Sequence, residues 1–349
     1  MNNRVADNQM TKSLTKVALA SGLLLGYLSS AQADSELDTV TIYGKANISL
    51  QSSDDGEGSF TELKSNASRI GFKGRLAIAE DIDVFYRAEF EVDMDGDEDN
   101  VFEHRNIYVG FHGWFGELYL GRNDSALKQS VGRTDIFNDL EGDIVGLFVG
   151  ENRPSNSITY KSSSVANFRV WITYIAPEQN ALGQKEETQS SYALVYGDSR
   201  FENGPVYLAL SADVGVTSLM ARVNGSLGRY DVARATGQVD VGGGFILGGI
   251  YHTQKNITTQ QKMDGFNASL RYVHEAFVVR AQYQSATFDQ EGTNAGLSLG
   301  FDYTLNERAK LYAFYSGFSI EQSDLATDYD PALAAIKQKY AGFGVEYYF

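Results

Sequence analysis

Apolar and polar residues alternate along many short segments of this chain. In the last segment, Phe343, Val345, Tyr347 and Phe349 occupy every second position. The first clear segment repeats the pattern, with one phase apolar and the other largely polar: Val40, Ile42, Ala46, Ile48 and Leu50 against Thr41, Tyr43, Lys45, Asn47 and Ser49. Side chains of a β-strand point to opposite faces in turn, so a period of two predicts strands with one apolar and one water-compatible face.

Segments of this kind recur along the whole chain. Between the two terminal strands they lie near residues 69–79, 83–93, 103–112, 116–122, 156–162, 167–175, 190–197, 204–213, 230–240, 243–254, 263–273, 277–287, 294–304 and 309–319. With the terminal strands the predicted total is 16. Short connections such as 80–82 and 113–115 alternate with long ones such as 51–68 and 320–338. Short turns at one end and long loops at the other are typical of transmembrane barrels.

The two ends of the chain indicate that the sheet closes on itself in a membrane. The first and last strands can pair, which removes the open edges whose unpaired backbone groups are costly in lipid. A chain that ends Tyr-Tyr-Phe is an exposed liability in a soluble protein. Beyond the N-terminal 33 residues the longest apolar run, 241–251, is too short for a membrane-spanning helix. We therefore predict an all-β transmembrane antiparallel barrel of 16 strands, with short periplasmic turns and long outer loops.

The N-terminus has the features of a secretory signal peptide. Arg4, Lys12 and Lys16 precede an uncharged apolar run over 17–28, and small residues stand at 31 and 33. We predict cleavage before Asp34, which makes 1–33 the signal peptide and 34–349 one barrel domain. Export permits disulfides, but the chain has no cysteine, so its stability must come from hydrogen bonding and burial.

The charge balance is acidic. Without residues 1–33, the 29 basic and 45 acidic residues fall to 26 and 44, a net charge of −18, because three basic residues and Asp7 are lost. Such a chain is not expected to bind nucleic acid. For a pore, the same balance predicts a preference for cations. No residue pattern indicates a cofactor or a metal.

One connection is longer than the rest. After Gly121-Arg122-Asn123 no convincing strand begins until about Asn156, and a loop of this length is usually functional. It contains the acidic residues Asp135, Asp139, Glu141 and Asp143 and many apolar ones, including Ile136, Phe137, Leu140, Ile144, Val145, Leu147 and Phe148. The apolar residues need a surface to lie on, and the inside of the barrel is one available surface.

Several short motifs occur in an order that resembles the trimeric general porins of Gram-negative bacteria. They are Thr41-Ile42-Tyr43-Gly44-Lys45, Ser68-Arg69-Ile70-Gly71-Phe72-Lys73-Gly74, Gly121-Arg122-Asn123, the stretch from Arg153 to Ser162, and the aromatic C-terminus. Each motif alone is weak, but their order over residues 39–349 is specific. The resemblance implies a homotrimer in the outer membrane, in contact with lipid and lipopolysaccharide, whose third outer loop folds into the lumen and forms a constriction.

The resemblance also implies which residues form that constriction. The acidic side is expected to be the loop carboxylates Asp135, Asp139 and Asp143, and the basic side the wall residues Lys45, Arg69, Arg105 and Arg153. Alternation from Lys45 and Arg69 places four more side chains on the lumen face: Lys73, Arg75, Arg87 and Glu89. Two points depart from the expected pattern. Asn138 and Glu141 replace a proline and a glycine of the loop, and in a regular strand Arg105 shares its phase with Ile107 and Val109.

Opposed charges across a narrow aqueous gap orient polar solutes and hinder apolar ones. The predicted function is therefore a water-filled channel for passive diffusion of small hydrophilic solutes and ions. The alternatives are a porin selective for oligosaccharides or an anion, and a barrel that only supports an adhesin or an enzyme. Aromatic residues in a row on the lumen would favour a selective porin, but Tyr43, Phe85 and Tyr348 are scattered along the sequence.

Other motifs have simpler interpretations. The acidic stretch 93–100 lacks the loop length and terminal Glu of a calcium-binding loop, and is expected to be a solvated outer loop, a contact to a neighbouring subunit, or a bridge through divalent ions to lipopolysaccharide. The glycines of 242–249 fit a turn and a strand better than a dinucleotide loop. His104, His112, His252 and His274 show no spacing of a metal site or catalytic triad.

Overall fold

The computed structural model describes residues 40–96, 100–177, 187–221, 226–289, 292–321 and 336–349. The predicted signal peptide, 1–33, lies outside them, as does most of the predicted loop 320–338. Seventeen strand segments form one sheet. They are β1 (Thr41–Asp54), β2 (Ser59–Ser65), β3 (Arg69–Ala79), β4 (Ile82–Val92), β5 (Phe102–Gly113), β6 (Gly116–Arg122), β7 (Ser157–Ser162), β8 (Phe168–Ile175), β9 (Gln189–Gly197), β10 (Val206–Met220), β11 (Ser226–Gly242), β12 (Phe245–Asn256), β13 (Lys262–His274), β14 (Phe277–Phe288), β15 (Gly292–Asn306), β16 (Ala309–Ile320) and β17 (Ile336–Tyr348).

The sheet is a closed antiparallel barrel of 16 strands, as the alternation predicts. β1 pairs with β17 from Lys45 opposite Tyr348 to Asp54 opposite Lys339, which closes the barrel. On its other side β1 pairs first with β3 and then with β2, so these two segments together make one barrel strand. All backbone groups of the wall can therefore pair within the sheet, the condition for strands to lie in lipid.

The first outer connection is much shorter than predicted. The expected loop 51–68 is wrong, because β1 continues to Asp54 and β2 begins at Ser59. The turn between them is held by the Asp54 carboxylate, which accepts hydrogen bonds from the backbone N–H groups of Gly56 and Gly58. The sequence here is mostly polar, and its two large apolar residues, Phe60 and Leu63, fall in opposite phases, so periodicity does not reveal the strands that backbone pairing with β1 supports.

At the opposite end the connections are short, as predicted. The shortest are 80–81, 114–115, 243–244, 275–276 and 307–308. Both the start of β1 and the end of β17 lie at this end, which we call the short-turn end.

The two faces of the wall differ in the way that the alternation predicts. On the outside, Ile42 is 59% exposed and Phe343 is 62% exposed. On the inside, Lys45, Asn47 and Ser49 are at most 3% exposed. This arrangement is the reverse of a water-soluble protein, and it suits a barrel with lipid outside and polar groups inside. Within the described residues, no helix has the length and apolar character needed to cross a membrane.

The largest apolar core lies inside the barrel rather than between two layers. Residues 123–156, between β6 and β7, form what we call the inserted loop. It contains a short helix, α1 (Ala126–Gln129), and a 3-10 turn (Ile144–Gly146). Phe137, Leu147 and Phe148 of this loop are fully buried against wall residues such as Val232, Ile250, Met263 and Phe314.

Candidate functional site: a charged constriction inside the barrel

The inserted loop is attached to the inner wall by its apolar side chains. Full burial of a Leu or Phe side chain is worth about 1.5–3 kcal/mol. Seven apolar loop residues are completely buried: Ala126, Leu127, Phe137, Ile144, Leu147, Phe148 and Val149. Phe148 also stacks on His252 of β12, with ring centroids 4.9 Å apart. The alternation of apolar and acidic residues in the loop is thus explained by one side facing the wall and the other facing the lumen.

Polar side chains of the wall satisfy the backbone of the loop. Arg280 donates to the Ile136 carbonyl at 2.6 Å, and Gln282 donates to the Gly142 carbonyl at 2.9 Å. Arg234 forms an ion pair with Glu151 at 2.6 Å and donates to the Val149 carbonyl. Irregular backbone inside a protein needs such partners, because an unpaired buried carbonyl is costly. These contacts hold the loop at one position in the lumen.

Asp139 is the loop carboxylate that meets the basic wall. Its Oδ2 lies 2.7 Å from Lys45 Nζ and 2.6 Å from Arg69 Nη2. Lys45 and Arg69 are direct partners across β1 and β3, so the sheet register itself puts the two charges side by side. Asp139 has a φ of +68°, in the left-handed region that Asp and Asn enter more readily than most residues.

The other two predicted acidic residues organise the loop instead. Asp135 accepts hydrogen bonds from the backbone N–H groups of Phe137 and Ile144 and from the Gln282 amide. Asp143 caps the 3-10 turn through Val145 N–H and also accepts from Asp139 N–H. Neither forms an ion pair with a basic residue in the described part of the chain. Both still border the constriction, since they line the same cavity as Asp139.

The other two predicted basic residues, Arg105 and Arg153, pair with carboxylates outside the predicted acidic set. Arg105 binds Glu89 at 2.9 Å and Glu91 at 2.6 Å. Arg153 is not on the wall as predicted, because β7 begins only at Ser157; it belongs to the inserted loop and lies 2.9 Å from Asp124 of the same loop. The structure therefore brings Lys45, Arg69, Arg105 and Arg153 to one cavity of about 660 Å³, with the three predicted loop carboxylates on its border.

A β-bulge explains why Arg105 faces the lumen, although in a regular strand it would share the direction of Ile107 and Val109. The register between β4 and β5 shifts where Ala88 faces Ile107 and Phe90 faces His104. An extra residue in one strand reverses the direction of all side chains beyond it. Arg105 thus points into the lumen at 8% exposure, while Val109 points outward at 51%.

Sequence reasoning missed several charged residues of the constriction. They are Asp124, Lys128, Arg133 and Glu151 of the loop and Arg271, Arg280, Asp302, Lys310 and Glu346 of the wall. Arg280 pairs with Asp302 at 2.8 Å, and Lys310 pairs with Glu346 at 3.0 Å. The available signal was alternation in the second half, where Arg280 shares its phase with the buried Gln282 and Gln284.

The four further lumen residues do not all join the constriction. Glu89 lies beside it and is bound by Arg105 and by the Tyr43 hydroxyl. Lys73, Arg75 and Arg87 instead border a second cavity of about 590 Å³ nearer the short-turn end.

The loop carboxylates differ in their affinity for protons. Burial alone would raise the pKa of Asp139, but the charges of Arg69 and Lys45 outweigh it and lower that pKa. Burial likewise opposes the charges of Lys128 and Arg153, which lower the pKa of Asp124 to about 2. For Asp135, burial raises the pKa to about 6. Burial and the nearby charges of Asp135 and Glu151 raise the pKa of Asp143 well above its usual range.

The acidic stretch 93–100 is only partly described, since 97–99 lie outside the described residues. Asp93 accepts hydrogen bonds from the backbone of Asp95 and Gly96, and Asp95 accepts one from Ser65 N–H. These carboxylates hold the turn and tie it to β2. Among the described residues, no group of three or more His, Asp or Glu side chains could hold a metal ion.

A closed 16-strand barrel, apolar outside and polar inside, with a loop folded into a charged lumen, defines the class of outer-membrane barrels. The chain belongs to the Gram-negative porin family, whose model matches residues 18–321.

Comparisons with individual proteins agree with this assignment. The chain is 24% identical over 320 residues to outer membrane porin protein 32 of Delftia acidovorans, covering 83% of this chain and 86% of that protein. Its fold is similar to that of an anion-selective porin from Comamonas acidovorans, with a TM-score of 0.73 at 17% identity over 90% of this chain and all of that one. It is also similar to the trimer form of OmpT of Vibrio cholerae, with a TM-score of 0.64 at 17% identity over 90% of this chain and all of that one.

Proposed function

We propose that this outer-membrane channel is a water-filled pore for passive diffusion of small hydrophilic solutes and ions, and that it prefers anions. The main support for the proposal is the charged cavity between the inserted loop and the wall. The charged residues of the constriction form ion pairs within the wall, within the inserted loop and between the two, and they border a polar cavity of about 660 Å³ inside the barrel. Such a lining favours solutes that keep their hydration and hinders apolar ones.

The preference for anions follows from the local charge rather than the total. The whole chain has a net charge of −16, which predicts cation preference. The constriction cavity is bordered by nine basic and seven acidic side chains, and two of the acidic ones, Asp135 and Asp143, are tied to the backbone of the loop. Charges on outer loops are screened over about 8 Å at physiological salt, so the residues at the narrowest point decide selectivity. The anion selectivity of the Comamonas acidovorans porin supports this choice.

We also propose that the chain forms a homotrimer surrounded by outer-membrane lipid and lipopolysaccharide. The trimer form of the Vibrio cholerae neighbour supports the assembly. The exposed apolar residues of the outer wall, such as Ile42, Leu210 and Phe343, supply a surface for lipid or for other subunits.

Conductance in planar bilayers tests the proposal. Purified protein should insert in steps of constant, ohmic conductance, and under a KCl gradient the reversal potential should show that Cl⁻ permeates more easily than K⁺. A folded barrel, verified by circular dichroism, that does not conduct would refute the pore. A conducting barrel that prefers K⁺ would refute the anion preference and favour the expectation from total charge.

A further inference from the structure

A second cavity combines basic side chains with aromatic rings. It has a volume of about 590 Å³ and lies between the inserted loop and the wall made by β3 to β7, towards the short-turn end. Its lining includes Lys73, Arg87, Lys161, Phe85, Tyr108 and Tyr119. We call it the aromatic–basic vestibule. Its volume is within the range typical of sites for small organic ligands.

The rings of the vestibule form one continuous group, although the sequence places them far apart. Phe85 contacts Tyr108 and Tyr119, with centroids 6.1 and 6.0 Å apart, and Tyr108 lies 4.7 Å from Tyr119. Their strands are neighbours, and glycines across the ladder leave room for the rings. A side chain at Gly110 would collide with Tyr119, which is its direct partner on β6.

Tyr43 and Trp171 extend this group at its two sides. Arg87 lies over both Tyr43 and Tyr108, and Lys161 lies over both Tyr119 and Trp171. The lumen aromatics Tyr43 and Phe85 are therefore not scattered. They belong to a belt of aromatic side chains that follows the wall from β1 to β8.

The basic residues of this belt are held by rings rather than by carboxylates. Lys73 lies 5.2 Å from the Tyr43 centroid, Arg87 lies 5.8 Å from the same ring, and Lys161 lies 4.7 Å from Trp171. Within the described ranges, none of these three forms an ion pair within 4.0 Å. The four predicted basic residues of the constriction all have a carboxylate at 2.9 Å or less.

This difference matters because a cation over a ring keeps most of its attraction for an anion. A carboxylate already bound at 2.6–2.9 Å competes with an incoming anion, whereas an aromatic face does not. The vestibule thus has basic side chains without a bound carboxylate next to aromatic surfaces, and its two acidic residues, Glu117 and Asp124, form no ion pair with Lys73, Arg87 or Lys161. A ligand that matches both features has a negative group and a ring.

We infer that the vestibule is a binding site for small aromatic carboxylates on their way through the pore. The carboxylate would lie between Arg87 and Lys161 or Lys73, and the ring would pack on Phe85 and Tyr108, which line the cavity and are less buried than Tyr119. Sugars can pack only on the rings, and inorganic anions can interact only with the basic side chains. Both should therefore bind less tightly than aromatic carboxylates. The inference deepens the proposed function and rests on it, since the site is reached through the channel.

Fluorescence of the folded full chain tests this site directly. The chain has two tryptophans, and Trp114 is 79% exposed on the turn between β5 and β6. Trp114→Phe leaves Trp171, whose ring centroid lies 4.7 Å from Nζ of the vestibule residue Lys161, as the single reporter. Titration with 4-nitrobenzoate should quench it in a saturable way. Benzoate should displace this quencher about tenfold better than cyclohexanecarboxylate, benzyl alcohol or maltose do.

Charge variants in the Trp114→Phe background locate the binding. Arg87→Gln should weaken 4-nitrobenzoate binding about tenfold, as expected for the loss of one charge-assisted contact. Lys73→Gln provides a second, independent variant. Arg200→Gln is the matched control, since Arg200 is an exposed residue of the turn 198–205 at the same end of the barrel, and its binding should be unchanged.

The possible results separate the two proposals. Quenching that does not saturate, or that is the same in Arg87→Gln and Lys73→Gln, refutes the vestibule. Equal competition by cyclohexanecarboxylate refutes the role of the rings, and equal competition by benzyl alcohol or maltose refutes the role of the charge. If the same preparation binds but does not conduct in bilayers, the pore is refuted while the site stands. If it conducts but does not bind, only the site is refuted.

Discussion

Replacement of Asp139 by Asn should make the channel more selective for anions. The change removes one negative charge from the cavity and releases Lys45 and Arg69 from an ion pair, while Asn keeps the size and the tolerance for a φ of +68°. The Asp139 charge changes the electrostatic energy of a monovalent ion about 6 Å away by about 0.7 kcal/mol in water and by about 2.8 kcal/mol at an effective dielectric of 20. The sign is favourable for K⁺ and unfavourable for Cl⁻. Because the cavity is hydrated, we expect an effect near the lower value for each ion. When the charge is removed, Cl⁻ is stabilised and K⁺ destabilised, so the two effects add to about 1.4 kcal/mol, a rise of about tenfold in the permeability ratio of Cl⁻ to K⁺.

The reversal potential under a KCl gradient measures this ratio. Glu57→Gln is a matched control, since Glu57 is an exposed residue of the outer turn between β1 and β2 and should not affect selectivity. Asp139→Asn and Asp135→Asn should differ in their effect on ion selectivity. At pH 8 the Asp135→Asn change should disturb the loop more than the selectivity, because Asp135 binds the loop backbone. An unchanged reversal potential in Asp139→Asn, with normal conductance, would refute Asp139 as the acidic side of the constriction.

Three further predictions concern the inserted loop. Arg234→Met removes one partner of a buried ion pair with Glu151, at a cost of about 3–5 kcal/mol, and should lower the melting temperature and increase current noise. Phe148→Ala leaves a cavity worth about 3–5 kcal/mol, so trypsin should cleave the loop faster while circular dichroism shows an intact barrel. Because burial raises the pKa of Asp135 to about 6, this carboxyl is charged at pH 8 and neutral at pH 5. Acidification should therefore stabilise the loop, with this stability lost as pH rises through 6. The melting temperature should fall over that range, and Asp135→Asn should show a smaller fall.

The faces of the strands could be predicted because alternation is a local property. Lys45 and Arg69 point inward in a regular strand whatever their neighbours are, so the sequence suffices to place them. The strand count follows in the same way. The insertion of residues 123–156 is also local in origin, since this segment lacks a strand pattern but carries apolar residues that need a surface.

Other features depend on which residues meet across the barrel. The β2 segment is a strand because β1 pairs with it, although its own residues are mostly polar. The bulge beside Glu89 directs Arg105 inward against its apparent phase. Only the folded loop shows that Asp139 meets the basic wall while Asp135 binds backbone N–H groups.

Alternation along the chain is enough to predict the barrel, the orientation of its faces and the inward direction of Lys45 and Arg69, because each follows from a period of two. The tertiary structure decided which charges are paired and which are not. It joined Phe85, Tyr108 and Tyr119 into one belt and left Lys73 and Arg87 over rings rather than carboxylates. Ion pairs and ring contacts depend on the register between strands and on the path of the loop. The alternation within a single segment predicts neither the register nor the loop path.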